Sequence, residues 1–224
     1  MNDTPFFIHD PASVRRDFLF IRPVVLNEKS SKTVPRHELD FIFDLNGVLI
    51  LDKPGYQSPE SEQKFFKRMG ISLNDAKEKG LIQKERGWND DQFWKYVGNG
   101  WKGAIPNMEL AQIVKEIRGK GMKTAIISNT SGLIMREKIN QYFGEGITSL
   151  FDEIIISSEV GFLKPDPEIY KLALKRLYVS AHDSVMVDDS DSYLTGARFL
   201  EIMCFLFTDN RSLIQDMKNL GVVD

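Results

Sequence analysis

Four short segments set reactive side chains directly after, or close to, apolar runs. Phe41-Ile-Phe-Asp44-Leu-Asn46-Gly47 ends a hydrophobic run in a carboxylate and then turns at a glycine. Lys123-Thr-Ala-Ile-Ile-Ser128-Asn129-Thr130-Ser131 ends a second run in hydroxyl and amide donors. Gly161-Phe-Leu-Lys164-Pro165-Asp166-Pro167 places an amine just before a proline-started helix. Ser184-Val-Met-Val-Asp188-Asp189-Ser190 ends a third run in two adjacent carboxylates, with Gly196-Ala197-Arg198 beyond.

The chemistry these types can do is phosphate chemistry. In a parallel α/β sheet the carboxyl ends of the strands open onto the ligand crevice, so Asp44 is expected to project where substrate binds. Donors at Ser128–Ser131, with the N–H groups of a helix starting there, suit a phosphate oxygen. Lys164 suits neutralisation of a phosphoryl group and retention of an ionised carboxylate nucleophile. Asp188 and Asp189 repel each other as they lose hydration, which calls for a cation between them and Asp44. Oxygen-only ligands of this kind suit Mg²⁺, which keeps several waters and bridges to a substrate phosphate. Taken one at a time, each segment also has a plainer use, as a turn cap, a helix cap, a surface lysine or an acidic turn. For the acidic pair the apolar run before it favours the metal.

Positioning these groups requires a particular set of elements. From Asp40 onward short β-branched runs alternate with helical periodicity, the pattern of βαβ units and a buried parallel sheet, so the fold class is α/β and Rossmann-like. Strands are predicted at Phe41–Phe43, Thr124–Ile127, Glu153–Ile156, Val185–Val187 and Ile202–Phe207. Met108–Arg118 reads as a helix, with Leu110, Ile113, Val114 and Ile117 on one face, opened by Asn107 and closed by Gly119 and Gly121. Glu168–Leu177 and Ser212–Leu220 read the same way, the last stopping at Gly221.

The chain divides into a core, residues 39–50 and 106–224, and a polar, glycine-rich insertion, 51–105. Short helices around Ser61–Met69, Asn74–Gln83 and Asp90–Val97 make the insertion a small helical cap over the site. It holds all three tryptophans, Trp88, Trp94 and Trp101. With Phe93 and Tyr96 they are expected to form a mini-core, the alternative being that one or two line the substrate pocket. Gly98, Gly100 and Gly103 read as a hinge or as simple turns. Residues 1–38 form an N-terminal extension, with Asp17–Leu26 a candidate strand or hairpin, and carry no functional reading.

Composition narrows the partners. With 29 basic and 32 acidic side chains, net charge −3, there is no bulk attraction to nucleic acid or to an anionic membrane, and neither is expected as a partner. The single cysteine, Cys204, cannot form an intramolecular disulfide and reads as a buried structural thiol, which fits a reducing, cytoplasmic setting. Phe18–Leu26 is too short and too broken by Arg22 and Pro23 to cross a bilayer, and no targeting signal is evident. His9, His37 and His182 sit in no nucleophile-like context and read as surface residues.

In this order, Asp44, Ser128, Lys164 and Asp188-Asp189 resemble the four signature motifs of the haloacid dehalogenase superfamily. The resemblance runs from about Phe41 to Phe207, with the insertion where that family carries a helical C1 cap. It implies a Mg²⁺-dependent phosphohydrolase that takes a small phosphorylated metabolite and works through an aspartyl-phosphate. It implies Asp44 as nucleophile, Ser128 and Asn129 with Lys164 at the phosphate, and Asp44, Asp189 and the carbonyl of residue 46 at the metal, with Asp188 acting less directly. One position departs from the pattern. Phosphatases of the family usually carry Asp two residues after the nucleophile to protonate the leaving oxygen and then activate water, and here that residue is Asn46. A carboxamide donates a hydrogen bond but exchanges no proton, which puts general acid–base catalysis, ~10²–10⁴-fold in rate, at risk. A slow or leaving-group-restricted phosphatase, a phosphate binder without turnover and a laboratory Asp→Asn substitution all fit it. The dehalogenase branch also lacks this Asp, but the resemblance implies no metal and no such acidic pair there, so Asp188-Asp189 favours Mg²⁺ and phosphate.

Overall fold

The computed structural model describes residues 39–144, 146 and 150–224. The expectations for residues 1–38, including Asp17–Leu26, His9 and His37, lie outside the described residues.

Five parallel strands build the core: β1 (Asp40–Phe43), β4 (Thr124–Ser128), β5 (Glu153–Ile156), β6 (Ser184–Asp188) and β7 (Met203–Leu206). Their spatial order is β5-β4-β1-β6-β7, with β1 in the centre. Phe41, Ile42 and Phe43 are all fully buried, because a central strand covered on both faces has no solvent side. The side-chain period of two then divides them. Phe41 and Phe43 join Leu110, Val114, Ile117, Leu213 and Met217 on one face. Ile42 joins Ile169, Tyr170, Ala173, Leu194 and Ala197 on the other.

The helices that supply these faces begin where their caps dictate. In α4 (Met108–Gly119) the Asn107 side chain accepts the Leu110 N–H at 3.2 Å, and the buried stripe is Leu110, Ala111, Ile113, Val114 and Ile117. α5 spans Gly132–Phe143 and α6 the four residues Ser157–Val160. α7 (Pro167–Leu177) has Asp166 at its N-cap and proline in its first turn. α8 (Asp191–Phe199) and α9 (Asn210–Asn219) complete the core layers. The strands and the three core helices read from periodicity are all present. α5, α6 and α8 carry less amphipathic pattern and were not delimited by it.

Between β1 and β4 the chain forms α1 (Glu60–Ile71), α2 (Asp75–Arg86) and α3 (Asp90–Gly100). α3 opens on a capping box between Asn89 and Gln92, and α2 ends at Gly87 in the left-handed region. Two short antiparallel strands, β2 (Ile50–Asp52) and β3 (Ala104–Pro106), join the insertion to the core as a ribbon that the sequence pattern did not predict. Phe65, Met69, Ile82, Phe93 and Val97 form the insertion's buried centre, which Ile134 of α5 completes. Trp88, Trp94, Tyr96 and Trp101 pack around that centre half-buried, so the mini-core is built mainly on Phe65 and Phe93 and only flanked by tryptophan. Gly98 and Gly100 lie inside α3, and a Cβ on Gly100 would come 2.2 Å from the Phe66 ring. A Cβ on Gly103 would come 1.9 Å from the Tyr56 ring. Gly100 and Gly103 therefore serve close packing against aromatic rings, neither being in the left-handed region.

Cys204 departs from expectation. β7 is an edge strand with Met203 and Leu206 exposed, so the thiol is half-buried instead of buried. Its Sγ lies 3.3 Å from the Ile202 carbonyl, and burial pushes its pKa up to about 11, which leaves it a poor nucleophile. His182 is exposed, beside Glu201. No helix among the described residues is long and apolar enough to cross a membrane.

Candidate active site

The sheet order brings the sequence-distant motifs onto three adjacent strands. Asp44 follows the C-terminal end of β1, Ser128 ends β4 on one side, and Asp188 ends β6 on the other. The strand order reverses here, because the chain runs from β1 outward to β4 and β5 and then crosses back to β6 on the other side of β1, the usual crevice of an open α/β sheet. Asp44, Asn46, Ser128, Asn129, Lys164, Asp189, Ser190 and Tyr193 line one pocket there, of about 250 Å³.

Lys164 is the organising charge. It is buried, with Nζ 2.9 Å from Asp44 Oδ1 and 2.6 Å from Asp188 Oδ2, and 5.0 Å from the centre of the Tyr193 ring. Burial alone would depress its pKa, but the Asp44 and Asp188 charges outweigh it and hold the ammonium above its ordinary range. For Asp44 burial is the larger influence. It raises the carboxyl to about 6, with the Asp188 charge adding to it and Lys164 opposing it, because two carboxylates share one ammonium. The Leu45 N–H donates to Asp44 Oδ1 at 2.7 Å, and no hydrogen bond among the described residues reaches Oδ2, which leaves that oxygen for chemistry.

Asp188 is anchored at both oxygens, by Lys164 at Oδ2 and by the Ser190 N–H at Oδ1, 2.9 Å. Asp189 is the exposed member of the pair, its pKa raised by partial burial and the Asp188 charge. Carboxylate oxygens of Asp44, Asp188 and Asp189 lie within 4.8 Å of one another. Three carboxylates face one ammonium, and a divalent cation would balance that excess. Gly47 leaves room for the arrangement. Its φ is +89°, and a Cβ there would sit 2.2 Å from Asp189 Oδ2. The donor set thus fits a hard oxygen-ligated ion, with Asp189 its exposed member.

Ser128 Oγ is buried without a hydrogen-bond partner and borders this crevice, the state expected of a donor reserved for ligand. Asn129 lines the pocket and also has a structural task. Its Nδ2 donates to the Lys164 carbonyl at 2.8 Å, and its Oδ1 accepts the Lys164 N–H at 2.7 Å. The carboxamide therefore positions Lys164. Asn46 is exposed at the turn and lines the pocket, and no hydrogen bond among the described residues reaches its side chain.

Several contributors were not evident from sequence. Gly196 lies where a Cβ would come 1.9 Å from the Pro165 carbonyl, so α8 can pack against the Lys164 loop only with glycine there. The Gly196-Ala197-Arg198 triplet was the available signal. Tyr193 flanks the ammonium from the first turn of α8. Asp75, at the start of α2, accepts from the Leu133 N–H at 3.0 Å and the Ser158 hydroxyl at 2.9 Å, seating the insertion on the N-terminus of α5. Ser131, expected as that helix's cap, makes no such bond, and its buried Oγ has no partner.

A parallel α/β sheet with a buried lysine and an acidic pair at adjacent strand ends defines a Rossmann-like class of hydrolase. The chain belongs to one family in that class: the haloacid dehalogenase-like hydrolase model matches residues 41–198. Among curated relatives, it is 29% identical over 116 residues to bifunctional epoxide hydrolase 2 of Rattus norvegicus, covering 51% of this chain and 21% of that protein. It is 33% identical over 91 residues to a phosphoserine phosphatase of Thermus thermophilus, covering 40% and 35%. With sesquiterpene phosphatase astK of Aspergillus oryzae it shares 24% identity over 194 residues, 80% of this chain and 94% of that one. The match to the first two thus spans about a fifth and a third of their lengths. In fold it is similar to a HAD-family enzyme of Bacteroides thetaiotaomicron solved as a magnesium complex, TM-score 0.63 at 21% identity, covering 79% of this chain and 98% of that one.

Proposed function

We propose that this chain hydrolyses a small phosphate monoester through an aspartyl-phosphate, with one Mg²⁺ held by Asp44, Asp189 and the carbonyl of residue 46. The observation that carries the reading is the buried Lys164 ammonium shared by Asp44 and Asp188, beside Asp189 and the unpartnered Ser128 hydroxyl. The cation would supply charge neutralisation at the phosphoryl oxygens. Asp44 attacks phosphorus, the bond from phosphorus to the ester oxygen breaks, and that oxygen leaves with the electron pair. Ser128 and Lys164 offer donors to the equatorial oxygens as charge shifts among them. Water then attacks the phosphorus of the aspartyl-phosphate, returning the Asp44 carboxylate and releasing inorganic phosphate. The helical insertion acts as the cap, and phosphatase-named relatives support the reaction class.

Phosphate release from a metabolite panel tests this directly. Release is expected only with Mg²⁺ present and is expected to be lost in Asp44→Asn; release that survives either change overturns the reading. A second reading, a phosphate-ligand binder with little turnover, is favoured by Asn46 alone. Tight, Mg²⁺-dependent phosphate binding with no release from any ester would select it.

A further inference from the structure

The pocket over Asp44 adjoins a second cavity, of about 330 Å³, between the helical insertion and the core. The two share Asn46 and Asn129, so an alcohol esterified to phosphorus at Asp44 has this cavity as its neighbour. Its walls include Leu51, Phe66, Met69, Trp101 and Ile134, with Phe66 and Trp101 meeting edge to face at 5.8 Å between centroids. Phe66 packs against Gly100, where no Cβ would fit. The volume lies at the low end of small-molecule sites, ~300–1,000 Å³.

Charge decides what such a cavity can hold. Among the described residues that line it there is no lysine, arginine or histidine, and its one charged side chain, Asp52, is exposed at the end of β2. Lys164, in the adjoining pocket, is already shared by two carboxylates. A second phosphate or a carboxylate on the substrate would lose water against apolar walls and meet no counter-charge. A polyol fares little better. It would meet polar side chains at Asn46, Asp52, Ser58, Asn129, Thr130 and Ser131, but Ile50, Leu51, Phe66, Met69, Ala104 and Ile134 offer its remaining hydroxyls no partner.

We propose that the substrate is the phosphate monoester of an uncharged, predominantly apolar alcohol, whose hydrocarbon part occupies this cavity. The assignment rests on the phosphohydrolase reading for the phosphoryl end and on the cavity walls for the rest. Alkyl phosphonates separate the two, because they keep the anionic head and have no ester bond to break. Titrated by calorimetry with Mg²⁺ present, a series from methyl- to octylphosphonate is expected to bind about fourfold tighter per methylene while the chain still enters the cavity, from ~0.8 kcal/mol per buried CH₂. An octyl chain ending in a carboxylate is expected to lose most of that gain. Leu51→Lys is expected to flatten the chain-length dependence and to favour the carboxylate-ended chain, and Phe66→Ala to reduce the gain per methylene. Methylphosphonate binding with no gain from chain length, or tighter binding of a phosphosugar or carboxylate-bearing analogue, overturns the substrate assignment alone. Absence of binding by every phosphonate, together with absence of Asp44-dependent phosphate release, overturns the phosphohydrolase reading and this assignment with it.

Discussion

In the proposed reaction residue 46 would set how fast the two half-reactions run. Attack by Asp44 would draw on Lys164 and Ser128, both of which line the pocket. An aryl oxide leaves without a proton, whereas an alkoxide needs one, and Asn46 has no proton to exchange. Asn46→Asp is therefore expected to raise turnover of alkyl phosphates by ~10²-fold or more and of aryl phosphates by much less. Steady-state kinetics on both substrate types check this. Equal gains on the two, with no phosphoenzyme accumulating in a burst, would show that residue 46 is not the proton-transfer position. The same scale gives Asn129 a second task. Its side chain holds the Lys164 main chain through one bond at each atom and keeps one N–H of its amide for the pocket it lines.

At the scale of elements, small residues and aromatic rings set the joints. α8 approaches the Lys164 loop so closely that Gly196→Ala would drive a methyl into the Pro165 carbonyl. Overpacking of this kind costs ~1–3 kcal/mol. Since the displaced loop carries Lys164, activity is expected to fall further than chemical denaturation would predict from stability alone. Loss of stability with full activity in the surviving folded fraction would contradict that coupling. In the insertion the buried centre belongs to Phe65 and Phe93, while Trp94 is half-buried beside them. Phe93→Ala is expected to cost ~3–5 kcal/mol and Trp94→Ala clearly less. Thermal melts compare them, and the reverse order would place the mini-core on the tryptophans after all.

For the molecule as a whole, a cation at the acidic pair would couple ligand binding to folding. The carboxylates of Asp44, Asp188 and Asp189 converge only when β1 and β6 pair in the native sheet. A cation bound there stabilises the folded state by mass action, ~2.7 kcal/mol at a hundredfold excess over Kd. Mg²⁺ is thus expected to raise the melting temperature of the parent chain and to have little effect on Asp189→Ala. An equal rise in both proteins would move the metal elsewhere.

What the sequence determined by itself was what local pattern can carry. Short continuous β-branched runs marked the sheet, period-3.6 hydrophobicity marked the helices at Met108–Arg118 and Glu168–Leu177, and charged groups after or close to apolar runs marked Asp44, Lys164 and Asp188-Asp189. Tertiary structure alone decided the rest. The order β5-β4-β1-β6-β7 sets which strand ends meet, and no local signal encodes it. The start of the weakly amphipathic α5 was expected beside Ser131, but the acceptors of its first N–H groups, Ser158 and Asp75, lie far away in sequence. Cys204 read as core because the run around it is apolar, yet an edge strand has only one neighbour, and half of its surroundings are open. The cavity beside Asn46 is likewise a property of two distant segments in contact, Leu51–Trp101 of the insertion and the Asn129–Ile134 turn of the core, so its apolar character exists only in the folded chain.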